Sequence, residues 1–174
     1  MDGAQWNRGV WKLFGIQDGQ FSCQHPCDDN RRLWMMSDFP HLIKCFRNGI
    51  MAPKVASFTT PDGTVKKQHW KTLPNHEGPT KPNMRVAYKL TETLLNPKGY
   101  QTMNVPLAFE LFADRVRVAM ELYKDDPKCP MLKDATPIIK FIKIVDDLIQ
   151  AMMSRKRRCN RRVSQILKHV AKCR

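Results

Sequence analysis

The 174-residue sequence lacks any apolar run of about 18 residues, which argues against a membrane-spanning helix. Its first residues, Met-Asp-Gly-Ala-Gln-Trp, lack a basic region followed by an apolar run, so no secretory signal is read there. No internal repeat occurs, and no glycine-rich loop of the kind that cradles phosphates is found. Residues 155–174 contain no acidic side chain at all. These absences lead to the expectation of an intracellular protein whose partner is a polyanion.

What is present refines that expectation. Hydrophobic residues make up 42% of the chain, enough for a real core and against wholesale disorder. The formal net charge is +14, but it is unevenly spread. Residues 155–174 hold nine Lys or Arg, leaving 21 basic and 16 acidic side chains in the rest. The charge is therefore mostly a property of the tail. Arg155, Lys156, Arg157, Arg158, Arg161 and Arg162 form a basic run of the type used for nuclear import or for phosphate contacts. Affinity from such a run falls steeply with salt, because contact with phosphates releases counterions. Within the tail, Val163, Ile166, Leu167 and Val170 recur at helical spacing.

Six cysteines are present, and without a secretion signal reduced thiols are expected. Cys23, His25, Cys27, His41 and Cys45 are the possible zinc ligands, but their spacing matches no familiar finger or ribbon, and His25-Pro26 suits a turn.

Along the chain, residues 6–16 predict a short helix ending near Gly15. The centre of Arg32-Leu33-Trp34-Met35-Met36-Ser37-Asp38 predicts a buried strand. Pro40 opens a helix, with Leu42, Ile43, Phe46 and Ile50 on one face. Residues 53–82 read as loop, with a tight turn at Pro61-Asp62-Gly63 and a short helical piece over 68–73. Residues 106–123 predict one amphipathic helix buried through Leu107, Leu111, Val118 and Leu122. Thr136 and Pro137 begin another, with an apolar row of Ile138, Phe141, Ile142, Val145, Leu148 and Ile149. Trp34, Trp70, Phe109 and Phe112 are expected in the core, and Lys44 and Arg47 on the surface. The fold class is mainly α, a helical unit preceded by a partial α/β segment with one or two strands.

Two stretches resemble P-element-type transposases, the group that includes the THAP-domain transposase-like proteins of animals. The first contains Trp11-Lys12-Leu13-Phe14-Gly15-Ile16, His25-Pro26-Cys27-Asp28, Asp38-Phe39-Pro40-His41-Leu42-Ile43-Lys44 and Arg47-Asn48. The second contains Lys89-Leu90-Thr91, Asn96-Pro97, Met103-Asn104-Val105, Leu107-Ala108 and the helix from Phe141 to Leu148. The resemblance implies a partial RNase H-like catalytic segment over 1–53, a helical GTP-binding-insertion-like domain over 54–154 and a basic amphipathic tail over 155–174. Asp38 is then the second catalytic carboxylate and a ligand to Mg2+. Such ions clamp the attacking and leaving oxygens of a phosphodiester, and they prefer hard oxygen ligands.

By the same resemblance, Lys89 meets a phosphate of GTP, the partner is DNA at transposon ends, and a homo-oligomer is possible. The family's first Asp and final Glu segments have no counterpart here, and Gln150 and Met153 stand where relatives place Asp and Asn. The expectation is a fragment or domesticated derivative of a DNA transposase, nuclear and inactive alone. The alternative is a non-catalytic helical protein that binds nucleic acid through its basic tail. Without the resemblance, Asp38 reads as a helix cap and Lys89 as a solvated helix residue.

Overall fold

A computed structural model describes residues 5–17, 19–78 and 84–153. The basic run Arg155–Arg162 and the apolar spacing beyond it lie outside these residues. The chain divides into two compact units, residues 1–43 and 44–174, and the division falls inside a helix.

The first unit begins with α1 (Gln5–Leu13), which ends as the sequence predicts: Gly15 takes φ +70, and Ile16 N–H donates to Trp11 O at 3.0 Å. An antiparallel ribbon follows, β1 (Ser22–His25) paired with β2 (Asp28–Trp34). The ladder runs Ser22↔Trp34, Cys23↔Leu33 and Gln24↔Arg32, then shifts register before His25↔Asp28. At the turn, Cys27 N–H donates to His25 Nδ1 at 3.2 Å, so this histidine shapes the ribbon's end. The strand expected around Trp34 exists but is not buried, and Trp34 is 70% exposed. A ribbon of two strands buries little of its own apolar surface, and here burial falls on Met35, just past the strand, and not on Trp34.

Helix α2 (Phe39–Met51) starts one residue after Asp38, with Leu42 N–H donating to Asp38 O at 3.0 Å. Proline at its second residue costs nothing, because the first turn's N–H groups have no intrahelical acceptor. Ile43 and Ile50 are buried as the periodicity predicts, whereas Leu42 and Phe46 are exposed.

The second unit contains most of the core. The stretch expected as loop forms a hairpin, β3 (Ser57–Thr60) and β4 (Gly63–Lys66), around the predicted tight turn at Pro61-Asp62. Sequence patterning misses these strands because only alternate, short side chains are buried, Val65 most completely. Lys67 N–H then donates to Ala56 O at 2.9 Å, leading straight into α3 (Lys67–Glu77). Gly78 ends α3 at φ +71, its N–H returning to Pro74 O. A short α4 (Glu92–Leu95) and a 3-10 helix (Gly99–Met103) lead to α5 (Val105–Leu111). Asn104 caps α5, accepting from Leu107 N–H at 3.1 Å.

The predicted helix over 106–123 is two helices, α5 and α6 (Asp114–Tyr123), separated at Phe112-Ala113. The break resets the helical phase. Leu111, Phe112, Val116, Ala119 and Met120 become the buried set, while Val118 and Leu122 face outward. A second 3-10 helix (Pro130–Leu132) precedes α7 (Thr136–Met153), whose Ile138, Ile142, Val145 and Ile149 are buried as expected.

Phe141 of α7, half-buried, is the hub of an aromatic cluster beside the core. Its ring meets Phe58 at 5.1 Å, Phe46 at 5.9 Å, Phe112 at 6.3 Å and Trp70 at 6.4 Å between centroids. Edge-on pairs of this kind contribute about 0.5–1.5 kcal/mol each beyond burial. Trp70 is fully buried and satisfies its indole N–H on Leu111 O at 3.2 Å. No helix among the described residues is long and apolar enough to cross a membrane.

Candidate functional site

Asp38 sits at the entry to α2, in the first unit, and its side chain is exposed. Its backbone carbonyl closes the helix's first turn, but its carboxylate makes no hydrogen bond or ion pair among the described residues. Among the described residues, no side-chain cap of α2 by Asp38 is seen. No group of three or more His, Cys, Asp or Glu with metal-binding geometry occurs among the described residues. The residues present offer one carboxylate and not the set that two divalent ions require.

Farther along α2, Lys44 and Arg47 are buried, not surface charges. Arg47 is fully enclosed, and its Nη2 donates to the carbonyls of Gln101, Thr102 and Asn104 at 3.2, 3.4 and 3.4 Å. Asn48 Nδ2 adds a bond to Thr102 O at 3.0 Å. Both side chains thus add donors at the carbonyl end of the 3-10 helix, where Gln101 O also accepts from Asn104 N–H at 3.1 Å. Burial holds the Arg47 guanidinium below its ordinary value. At the end of α2, Lys67 Nζ donates to Ala52 O at 2.8 Å, placing a cation on the carbonyl terminus of that helix.

Lys89 lies in the second unit, among turns between α3 and α4. Its ammonium donates to Glu110 Oε1 at 2.8 Å, and Arg115 Nη2 lies 3.3 Å from Glu110 Oε2. The Arg115 guanidinium also stands over the Tyr88 ring, 5.0 Å from its centroid. Two cations therefore converge on a single carboxylate beside a half-exposed aromatic ring. Only Lys89 among these residues is legible in the sequence. Glu110 comes from α5 and Arg115 from the first turn of α6, on either side of the break at Phe112-Ala113.

Within α6, Arg117 bridges Asp114 and Glu121 at 2.6 Å each, and these partners hold it above its ordinary value. Asp146 of α7 lies close by. Desolvation first, then the neighbouring Asp114 charge, raises its pKa, while a hydrogen bond with Gln150 opposes the shift.

Helix α3 carries a polar constellation that the sequence does not announce. His69 is buried and its Nε2 is 3.0 Å from Asp134 Oδ1, while Lys66 Nζ bonds the other oxygen of Asp134. Two turns on along the same face, His76 Nε2 lies 3.2 Å from Asp126 Oδ2. The two histidines, seven residues apart, hold both ends of the segment joining α6 to α7. A cleft of about 370 Å³ opens beside His69, lined also by Lys66, Gln68, Met131, Lys133 and Asp134. Alternation of His with a distant Asp has no spacing signature, which is why sequence reasoning passes it by.

The structure places Asp38 and Lys89 in separate compact units, and the basic run lies outside the described residues. Residues 40–165 match the family described as TNP-like, GTP-binding insertion domain. The Transposable element P transposase of Drosophila melanogaster is 30% identical over 146 residues, covering 81% of this chain and 18% of that protein. The fold is similar to that of the Drosophila P element transposase strand transfer complex, with a TM-score of 0.76 at 22% identity over 87% of this chain and 33% of that one. The chain thus spans under a fifth of the length of the curated relative it matches. With most of its length inside the family match, the chain belongs to the TNP-like, GTP-binding insertion domain family and is a relative of the P-element-type transposases.

Proposed function

We propose that this chain is a transposase-derived DNA-binding protein whose second unit holds GTP as an assembly cofactor. The observation that carries the reading is the cationic cluster of Lys89 and Arg115 beside Tyr88, inside the residues matched by the insertion-domain family. Its donor set suits a nucleotide: an ammonium and a guanidinium for phosphates, and an aromatic face alongside. GTP would supply negative charge there, and this chain's part is to bind and orient it. Titration of the full chain with GTP and ATP tests the reading. Preferential GTP binding is expected; equal affinity for both, or no binding at millimolar nucleotide, overturns it.

Asp38 is proposed as one oxygen ligand of a divalent metal in the ancestral chemistry, DNA cleavage and strand transfer. Its carboxylate, exposed and without a hydrogen bond or ion pair among the described residues, supports that role. A lone carboxylate cannot fix two ions, so no catalytic step is assigned to this chain by itself, and the separate chain is proposed to be inactive. A magnesium-dependent strand-transfer assay checks this. Cleavage by the isolated chain that disappears in Asp38→Asn would show it to be active after all.

The basic run Arg155, Lys156, Arg157, Arg158, Arg161 and Arg162 is proposed as the DNA-contacting and nuclear-import segment. Its density of positive charge supports both uses. Removing residues 155–174 should lower DNA affinity and flatten its salt dependence; unchanged affinity and unchanged nuclear accumulation would remove the role.

A further inference from the structure

The Lys89–Glu110–Arg115 cluster is unbalanced in a way that points to a ligand. One carboxylate answers two cations, leaving an excess positive charge. The side chains of Lys89, Arg115 and Glu110 are 48%, 30% and 21% exposed, so the carboxylate is the deepest member and the cations face outward. Lys89 is well bonded to Glu110, whereas Arg115 is not. Its 3.3 Å approach is an ion pair, and Glu110 Oε2 is buried without a hydrogen-bond partner among the described residues. A guanidinium binds an oxyanion best through a planar fork of two parallel N–H···O bonds. Arg115 makes none with Glu110, so most of its donors have no hydrogen-bond acceptor among the described residues. Its ring contact with Tyr88 fixes the plane of the guanidinium without using those donors.

A carboxylate spanning an ammonium and a guanidinium occupies the place that two oxygens of a phosphate would take. We propose that Lys89 and Arg115, with Tyr88 beside them, form a binding site for a phosphate-bearing anion, and that Glu110 fills it with its own carboxylate until the ligand displaces it. The proposal rests on the nucleotide reading for the identity of the natural ligand, though not for the anion itself. Glu110 then sets the affinity: it weakens binding by competition and screens two cations from each other when no ligand is present. The site lies on the surface, apart from the cleft at His69, whose Lys66 is already matched by Asp134.

Calorimetric titration of the full chain with inorganic pyrophosphate at low salt tests the proposal. Glu110→Gln keeps the side chain's shape and removes its charge, and it should bind pyrophosphate about 10-fold tighter than the parent, a typical effect of removing a competing charge at short range. The gain should vanish in Glu110→Gln combined with Lys89→Ala or with Arg115→Ala. A Glu110→Gln chain that binds no tighter, or a gain that survives both second substitutions, overturns the proposal. If Glu110→Gln fails to show a cooperative thermal transition, the parent chain decides: pyrophosphate must perturb the Tyr88 ring and Lys89 ammonium resonances, and their invariance at saturation overturns the site. GTP and ATP arms separate the two readings. Pyrophosphate binding as described with GTP no better than ATP leaves the anion site standing and removes the guanine reading. A preference for GTP that Glu110→Gln does not alter leaves the nucleotide reading standing and removes displacement by Glu110.

Discussion

The Arg47 guanidinium donates to the carbonyl of Asn104, 57 residues away in sequence, at 3.4 Å. The same nitrogen reaches Gln101 and Thr102, so one side chain of α2 holds the whole turn that precedes α5. Asn104 in turn caps α5, which couples the two helices through a single residue. Arg47→Met removes the buried charge and takes one donor from each of three carbonyls, of which Gln101 O keeps the Asn104 N–H and Thr102 O keeps Asn48 Nδ2. The expected loss is about 2–4 kcal/mol of unfolding free energy, read from the denaturant midpoint. Arg47→Lys should fall between parent and Met, since an ammonium cannot span the carbonyls as a fork does.

Gly63 closes the β3–β4 turn at φ +129, and a Cβ there would lie 2.9 Å from Pro137 Cγ at the start of α7. Backbone and packing both demand glycine. Gly63→Ala is expected to destabilise by about 1–3 kcal/mol, combining a strained φ with a ring that cannot retreat. Thermal unfolding followed by circular dichroism checks it, and a midpoint equal to the parent's would contradict the packing described here.

Acid should weaken the anchor at Asp134. Its hydrogen bond to Lys66, and then that to His69, hold the carboxyl below its ordinary value. A depressed carboxylate binds fewer protons folded than unfolded, so its stabilisation is complete above that value and lost as pH falls through the lower, folded one. Asp134 is 55% exposed, so solvent screens much of the effect. Chemical denaturation between pH 5 and 2 should show a steeper loss for the parent than for Asp134→Asn.

Asp146 carries the opposite sign. Desolvation and the Asp114 charge raise its pKa, so the folded chain binds its proton more readily than the unfolded one. Ionisation at neutral pH therefore opposes folding, and stability from this group grows as pH falls through the raised value. Asp146→Asn should raise the unfolding midpoint at pH 7, and the gain should shrink toward pH 4. A lower midpoint at pH 7 would assign Asp146 a stabilising contact that outweighs its burial.

Helix periodicity was legible wherever one helix packs one face. Ile138, Ile142, Val145 and Ile149 of α7 and the start of α2 at Pro40 follow directly from spacing and capping chemistry. The break at Phe112-Ala113 was not legible, because no proline or glycine marks it. Burial of Phe112 in the ring cluster around Phe141 decides it. The strands β3 and β4 escaped for a related reason, their four residues each being too short to express an alternating pattern. For the site, Lys89 was legible and its partners were not.

The sequence alone determined what is local: the concentration of charge in the last twenty residues, the helix starts, the glycine turn and the ordered motifs that place the chain among P-element-type relatives. Tertiary structure decided which charges matter to the fold. Arg47 looked like a surface cation and is fully buried, while Trp34 looked like core and is 70% exposed. Burial depends on which segments meet, and hydrogen bonds between residues 47 and 101–104, or between 89 and 110, leave no periodic trace in the chain. A charge is free or answered according to what folding sets beside it.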